Sequence, residues 1–126
     1  MSDNLKILIT EDDPVLLKMI SYFLEKKGYA VIQASDGLSA IDKVNSQLFD
    51  LIITDINMPF ANGLEIVNTV RNVLKLQTPI IVLTSEGVES TELNAFHIGA
   101  SEFITKPFSL SALELRVVKL LALTQK

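Results

Sequence analysis

The chain has 126 residues, with 11 basic and 15 acidic side chains, a formal net charge of −4 and 48% hydrophobic residues. That is the length of one domain with enough apolar surface to offset the entropy of ordering, which excludes a disordered chain. The lack of cysteine excludes thiol catalysis and thiolate zinc sites, a single histidine (His97) excludes multi-histidine metal centres, and an acidic balance without a Lys/Arg cluster argues against direct nucleic-acid binding.

Met1-Ser2-Asp3-Asn4 has neither the basic region nor the apolar stretch of a signal peptide. No apolar run approaches the roughly 20 residues of a membrane span, so the expectation is a cytoplasmic domain without a membrane partner. Along the chain, five short β-branched runs predict strands over Leu5–Ile9, Tyr29–Ala34, Leu51–Thr54, Ile80–Thr84 and Glu102–Thr105, beginning 22 to 29 residues apart. Helical spacing lies between them. Leu16, Met19, Ile20, Phe23 and Leu24 form one stripe, Ala40, Ile41, Val44 and Leu48 a second, and Ile66, Val67, Val70 and Leu74 a third. Asp13-Pro14 reads as an N-cap followed by proline at the first helical position, and Gly28 and Gly99 sit where helix C-caps are expected. Alternating strands and helices predict a parallel sheet covered on both faces, and Leu51-Ile52-Ile53 and Ile80-Ile81-Val82-Leu83 suit its buried centre. The expected architecture is a three-layer α/β sandwich of five strand–helix units in one domain, residues 1–126.

The polar residues gather at the ends of the strands. The first runs into Glu11-Asp12-Asp13, the third into Asp55, the fourth into Thr84-Ser85 and the fifth into Lys106. Parallel strands bring these groups to one edge, where open α/β sheets bind ligands. Two unit charges 4 Å apart at an effective dielectric of 20 repel by about 4 kcal/mol, so a cluster of carboxylates needs protonation, Lys106 or a cation. Oxygen donors with room for water and phosphate suit Mg²⁺. A carboxylate is also a nucleophile toward phosphorus, so the constellation points to an Mg²⁺-dependent aspartyl-phosphate site. Each residue also has an ordinary reading. Asp55 can be a turn former or helix N-cap, Asp13 is most simply an N-cap, Thr84 and Ser85 are loop hydroxyls, and Lys106 is a solvated charge. The strand ends alone leave both readings open, and His97 receives no catalytic role.

The segments Ile7-Leu8-Ile9-Thr10-Glu11-Asp12-Asp13, Thr54-Asp55-Ile56-Asn57-Met58-Pro59, Gly63, Leu83-Thr84-Ser85, Gly99-Ala100 and Phe103-Ile104-Thr105-Lys106-Pro107-Phe108 carry a family resemblance. From Lys6 to about Leu121 the chain resembles the receiver domain of two-component response regulators, including the chemotaxis regulators. Asp-x-x-Met-Pro combined with the late Lys-Pro-Phe makes the likeness specific. It implies a flavodoxin-like (βα)5 fold with strand order 2-1-3-4-5. It further implies that Asp55 is the phosphoacceptor, served by a sensor histidine kinase or a phosphotransfer protein. Glu11, Asp12, Asp55 and the backbone carbonyl of Asn57 would hold Mg²⁺, while Thr84 and Lys106 would bind phosphoryl oxygens. Phe103 matches an aromatic switch position, with an ordinary core aromatic as the alternative, and Lys106-Pro107 matches a cis peptide bond. Asn57 and Glu86 fall where the family tunes dephosphorylation. Such a protein is not a general enzyme and catalyses only its own phosphoryl transfer and dephosphorylation. Thr10, where an apolar residue is commoner, and the bulky Phe60, placed to narrow access to Asp55 or to contact a kinase, depart from the pattern.

The last predicted helix, from Ser109 to about Leu123, buries Leu110, Leu113, Val117, Leu120 and Leu121, leaving Leu115, Val118 and Ala122 as an apolar surface. That surface offers a face for a downstream effector or, through the last strand and helix, for a homodimer. The competing functions are a phosphate-independent interaction module and a hydrolase with an aspartyl-phosphate intermediate. The hydrolase is disfavoured because Asn57 occupies the position of its second aspartate.

Overall fold

The computed structural model of the chain describes residues 4–58, 60–85 and 99–124. Five parallel strands, β1 (Lys6–Thr10), β2 (Ala30–Ala34), β3 (Leu51–Asp55), β4 (Ile80–Thr84) and β5 (Glu102–Thr105), form one sheet in the order β2-β1-β3-β4-β5. Helices α1 (Pro14–Lys26), α2 (Gly37–Ser46), α3 (Gly63–Asn68, running into a π-helical turn over Thr69–Val73) and α4 (Leu110–Thr124) accompany them. The expected helix between β4 and β5, with Glu86 and His97, lies outside the described residues, as does Pro59.

Side-chain alternation along the strands builds two cores. Ile7, Ile9, Leu51, Ile53, Ile81, Leu83 and Ile104 pack with residues of α1 and α4. Leu8, Ile52, Ile80 and Val82 pack with residues of α2 and α3. β3 and β4 are buried at every position, as their unbroken apolar runs predict for central strands covered on both faces.

Two helical stripes differ from the sequence expectation. In α1 the buried residues are Leu17, Ile20, Ser21 and Leu24, whereas Leu16 and Phe23 are half-buried and Met19 is 50% exposed. Two overlapping apolar stripes share Ile20 and Leu24, and the docking angle on the sheet selects the one that carries Leu17. α2 ends at Ser46, where Gln47 turns extended, so Leu48 leaves the helical stripe and lies 72% exposed. Asp13 caps α1 as expected, its Oδ1 accepting from the amides of Val15 and Leu16. Gly28 follows α1 with a φ of +100°. In α4, Leu113, Val117, Leu120 and Leu121 are buried and Leu115, Val118 and Ala122 are exposed, as expected, whereas Leu110 is only half-buried and Leu123, assigned to neither face, is exposed.

Candidate functional site

Register delivers the polar residues to one edge. Thr10 pairs with Thr54, so Glu11 follows β1 beside Asp55 at the end of β3. Thr84 ends β4 opposite Thr105, and its carbonyl accepts from the Lys106 amide at 2.6 Å. The ends of β3 and β4 are joined by the Ile56 amide donating to the Leu83 carbonyl at 2.9 Å. The Lys106–Pro107 bond is cis, in line with the resemblance.

Carboxylate oxygens of Glu11, Asp12 and Asp55 all lie within 4.8 Å of one another. Glu11 and Asp55 are buried, while Asp12 is exposed at the rim. Lys106 Nζ lies 2.8 Å from Glu11 Oε1 and 3.3 Å from Asp55 Oδ1. Two backbone amides add to this: Ile56 donates to Asp55 Oδ1 at 2.9 Å and Asp13 donates to Glu11 Oε2 at 3.2 Å. Neither amide is visible in a reading of side-chain types, because each depends on how the chain turns after its strand.

Burial pushes the Glu11 carboxyl above its ordinary value; the hydrogen bond from Lys106 and the Asp13 amide oppose the shift, and the Asp55 charge adds to it. Asp55 is also raised, first by burial and further by Asp12, against the pull of Lys106 and the Ile56 amide. For Lys106, burial works against the charge, yet Glu11 and Asp55 outweigh it and hold the ammonium above its usual pKa.

Three carboxylates against one ammonium leave an excess of two negative charges. The donors are all oxygen, two of them are fixed at strand ends and one is open to solvent, so the set fits a hard divalent cation that keeps some of its water.

Asn57 follows β3 by two residues, with an exposed side chain. Thr84 is 3% exposed. Phe103 stands apart from the carboxylate cluster: half-buried in β5, it pairs in register with Val82 and packs on the α2/α3 side of the sheet. Thr84, two residues beyond Val82, occupies the same face. Of the residues singled out from sequence, Glu11, Asp12, Asp55 and Lys106 therefore gather in one cluster, and Thr84 is joined to Lys106 through its backbone carbonyl.

The loop from β3 to α3 is tightly seated. The Gly63 amide donates to the Ile56 carbonyl at 3.0 Å, and a Cβ on Gly63 would overlap the Asp55 carbonyl. Asn62 and Glu65 form a reciprocal capping box at the start of α3.

The chain is similar in sequence and in fold to known proteins. Residues 7–118 match the response regulator receiver domain family. The transcriptional regulatory protein CrdR of Helicobacter pylori is 37% identical over 112 residues, covering 89% of this chain and 53% of that protein. The chain spans about half the length of the curated relatives it matches. Among solved structures, the chemotaxis response regulator CheY4 of Vibrio cholerae superposes with a TM-score of 0.87 at 33% identity, covering 94% of this chain and 99% of that one. The response regulator TrrA of Thermotoga maritima, solved in complex with Mg²⁺ and BeF, superposes with a TM-score of 0.82 at 32% identity, covering 92% and 98%. A match over most of the length, an ordered sheet of the same kind and solved relatives at this identity lead to one conclusion: the chain belongs to the response regulator receiver domain family.

Proposed function

We propose that the chain is a phosphorylation switch, a receiver domain over residues 1–126 that accepts a phosphoryl group on Asp55. The donor is the phosphohistidine of a sensor histidine kinase or a phosphotransfer protein. A carboxylate oxygen of Asp55 attacks phosphorus, the P–N bond to histidine breaks, and the imidazole leaves with the electron pair. The Ile56 amide orients the Asp55 carboxylate, and burial limits its rotation. Lys106 and the Thr84 hydroxyl are assigned to the phosphoryl oxygens. Glu11, Asp12, Asp55 and the Asn57 backbone carbonyl would hold Mg²⁺, which when bound supplies charge neutralisation for the incoming phosphoryl group. The Mg²⁺–BeF complex of the Thermotoga relative supports that choice of cation.

Output follows from the Thr84–Phe103 face. Drawing the Thr84 hydroxyl toward phosphate changes the space beside Phe103, which biases a surface read by a downstream effector protein or domain. Residue positions Asn57 and Glu86 tune the lifetime of the phosphate, and self-transfer and self-hydrolysis are the only reactions assigned. A cytoplasmic location accords with a histidine-kinase donor. The exposed Leu115 and Val118 of α4 are the proposed contact for an effector or a second copy.

The observation that carries the proposal is the position of Lys106, whose ammonium reaches Glu11 and Asp55 together. Incubation with acetyl phosphate and Mg²⁺, followed by intact-mass measurement, is expected to add one phosphate. The adduct should be absent in Asp55→Asn and in the presence of EDTA. Labelling of Asp55→Asn to the wild-type level would disprove the assignment.

A further inference from the structure

Phe60 lies in the loop between β3 and α3, five residues beyond Asp55, and its side chain is 78% exposed with a φ of +75°. A left-handed backbone strains a bulky residue, whereas glycine or asparagine adopts it readily. The ring gains almost no burial in exchange, so packing within the chain does not account for it.

The neighbouring backbone cannot easily relax. Ala61 is buried against the start of α2, close enough that a Cβ on Gly37 would overlap the Ala61 carbonyl. On the other flank, the capping box holds Asn62, and Gly63 sits directly on the backbone of Asp55. The strained aromatic is thus held outward by a loop seated on the very residue assigned as phosphoacceptor. Asp55 itself is only 4% exposed, so a macromolecule delivering a group to it must approach over the loops at the carboxyl edge of the sheet, one of which carries Phe60.

We propose that Phe60 is a docking anchor for the protein phosphodonor, its ring entering an apolar pocket beside the donor's phosphohistidine. The inference rests on the phosphoacceptor reading of Asp55. A strained, exposed aromatic in a loop seated on a reactive group is accounted for by recognition, and a pre-ordered aromatic anchor loses little freedom on binding. Small donors such as acetyl phosphate have no surface to meet it.

The test compares transfer from a panel of autophosphorylated histidine-kinase cores with labelling by acetyl phosphate, each variant expressed as the ratio of the two. Phe60→Gly and Phe60→Asn accept the left-handed backbone but lack the ring, and their ratio should fall about tenfold or more. Phe60→Tyr should restore it. Leu48→Ser, which removes an apolar side chain 72% exposed at the opposite edge of the sheet, should leave the ratio unchanged. A wild-type ratio in Phe60→Gly and Phe60→Asn overturns the inference, as does an equal loss with both donors. Failure of every kinase on the wild type, with acetyl phosphate still active, also overturns it. Failure of acetyl phosphate to label Asp55 would instead refute the phosphoacceptor reading.

Discussion

Lys106 reaches Glu11 at 2.8 Å although β3 and β4 separate their strands in the sheet. The ammonium therefore spans the mouth of the site and ties the end of β5 to the end of β1 through an ion pair between a half-buried lysine and a buried carboxylate. Its second contact, with Asp55, makes it the one fixed positive charge facing two buried carboxylates among the described residues.

Removing that charge should expose the cost of the cluster. Lys106→Met leaves Glu11 and Asp55 buried without a counter-charge and is expected to destabilise the metal-free protein by about 3 kcal/mol. Urea unfolding in EDTA measures the loss. Millimolar Mg²⁺ should recover more stability in this variant than in the wild type, because a cation then takes over the neutralising role.

The pH dependence has an unusual sign. Glu11 and Asp55 are raised above 4.5 and 3.8, so the folded state binds protons more readily than the unfolded chain. Their burial therefore costs stability at neutral pH, and the cost is relieved as pH falls into the window just above those ordinary values. Lys106, raised above 10.5, contributes stability that is complete below that value and lost as pH rises through its folded pKa. In EDTA, mild acidification from neutrality should raise the unfolding midpoint of the wild type relative to Asp55→Asn. A midpoint difference between the two that is independent of pH would contradict the assignment.

Thr10 is wholly buried at the end of β1, and its hydroxyl has no hydrogen-bond partner among the described residues. Replacement by the isosteric valine removes a buried polar group without leaving a void. Thr10→Val should stabilise the fold by roughly 1 kcal/mol, read by thermal unfolding, with acetyl-phosphate labelling of Asp55 retained.

Gly37 meets the backbone of Ala61, which has no side-chain end that can swing aside. Gly37→Ala must push apart α2 and the loop that carries Phe60, at a cost of about 2–3 kcal/mol in denaturant unfolding. A neutral effect would show that this contact is looser than the structure indicates.

Much of the fold is legible locally. The runs around Ile7, Val31, Ile52, Val82 and Ile104 are strands because β-branched and apolar residues repeat there over the right length. Asp13-Pro14 starts α1 because an acceptor side chain and a proline satisfy the same helix end. Met19 and Leu48 depart from the helical periodicity for a common reason. Helical periodicity says that an apolar stripe exists, while the sheet decides which of two adjacent stripes is covered and where the helix stops.

The site divides in the same way. Which residues stand at strand ends, that several are acidic, and that one is Lys106 follow from sequence alone, since strand boundaries and residue types are local properties. That Lys106 pairs with Glu11 as well as Asp55, that backbone amides hold both carboxylates, and that Phe60 is held outward in a left-handed turn were decided only by tertiary structure. Those relations depend on strand order and on close backbone contacts between segments far apart in the chain, and no periodicity in the sequence records such distances.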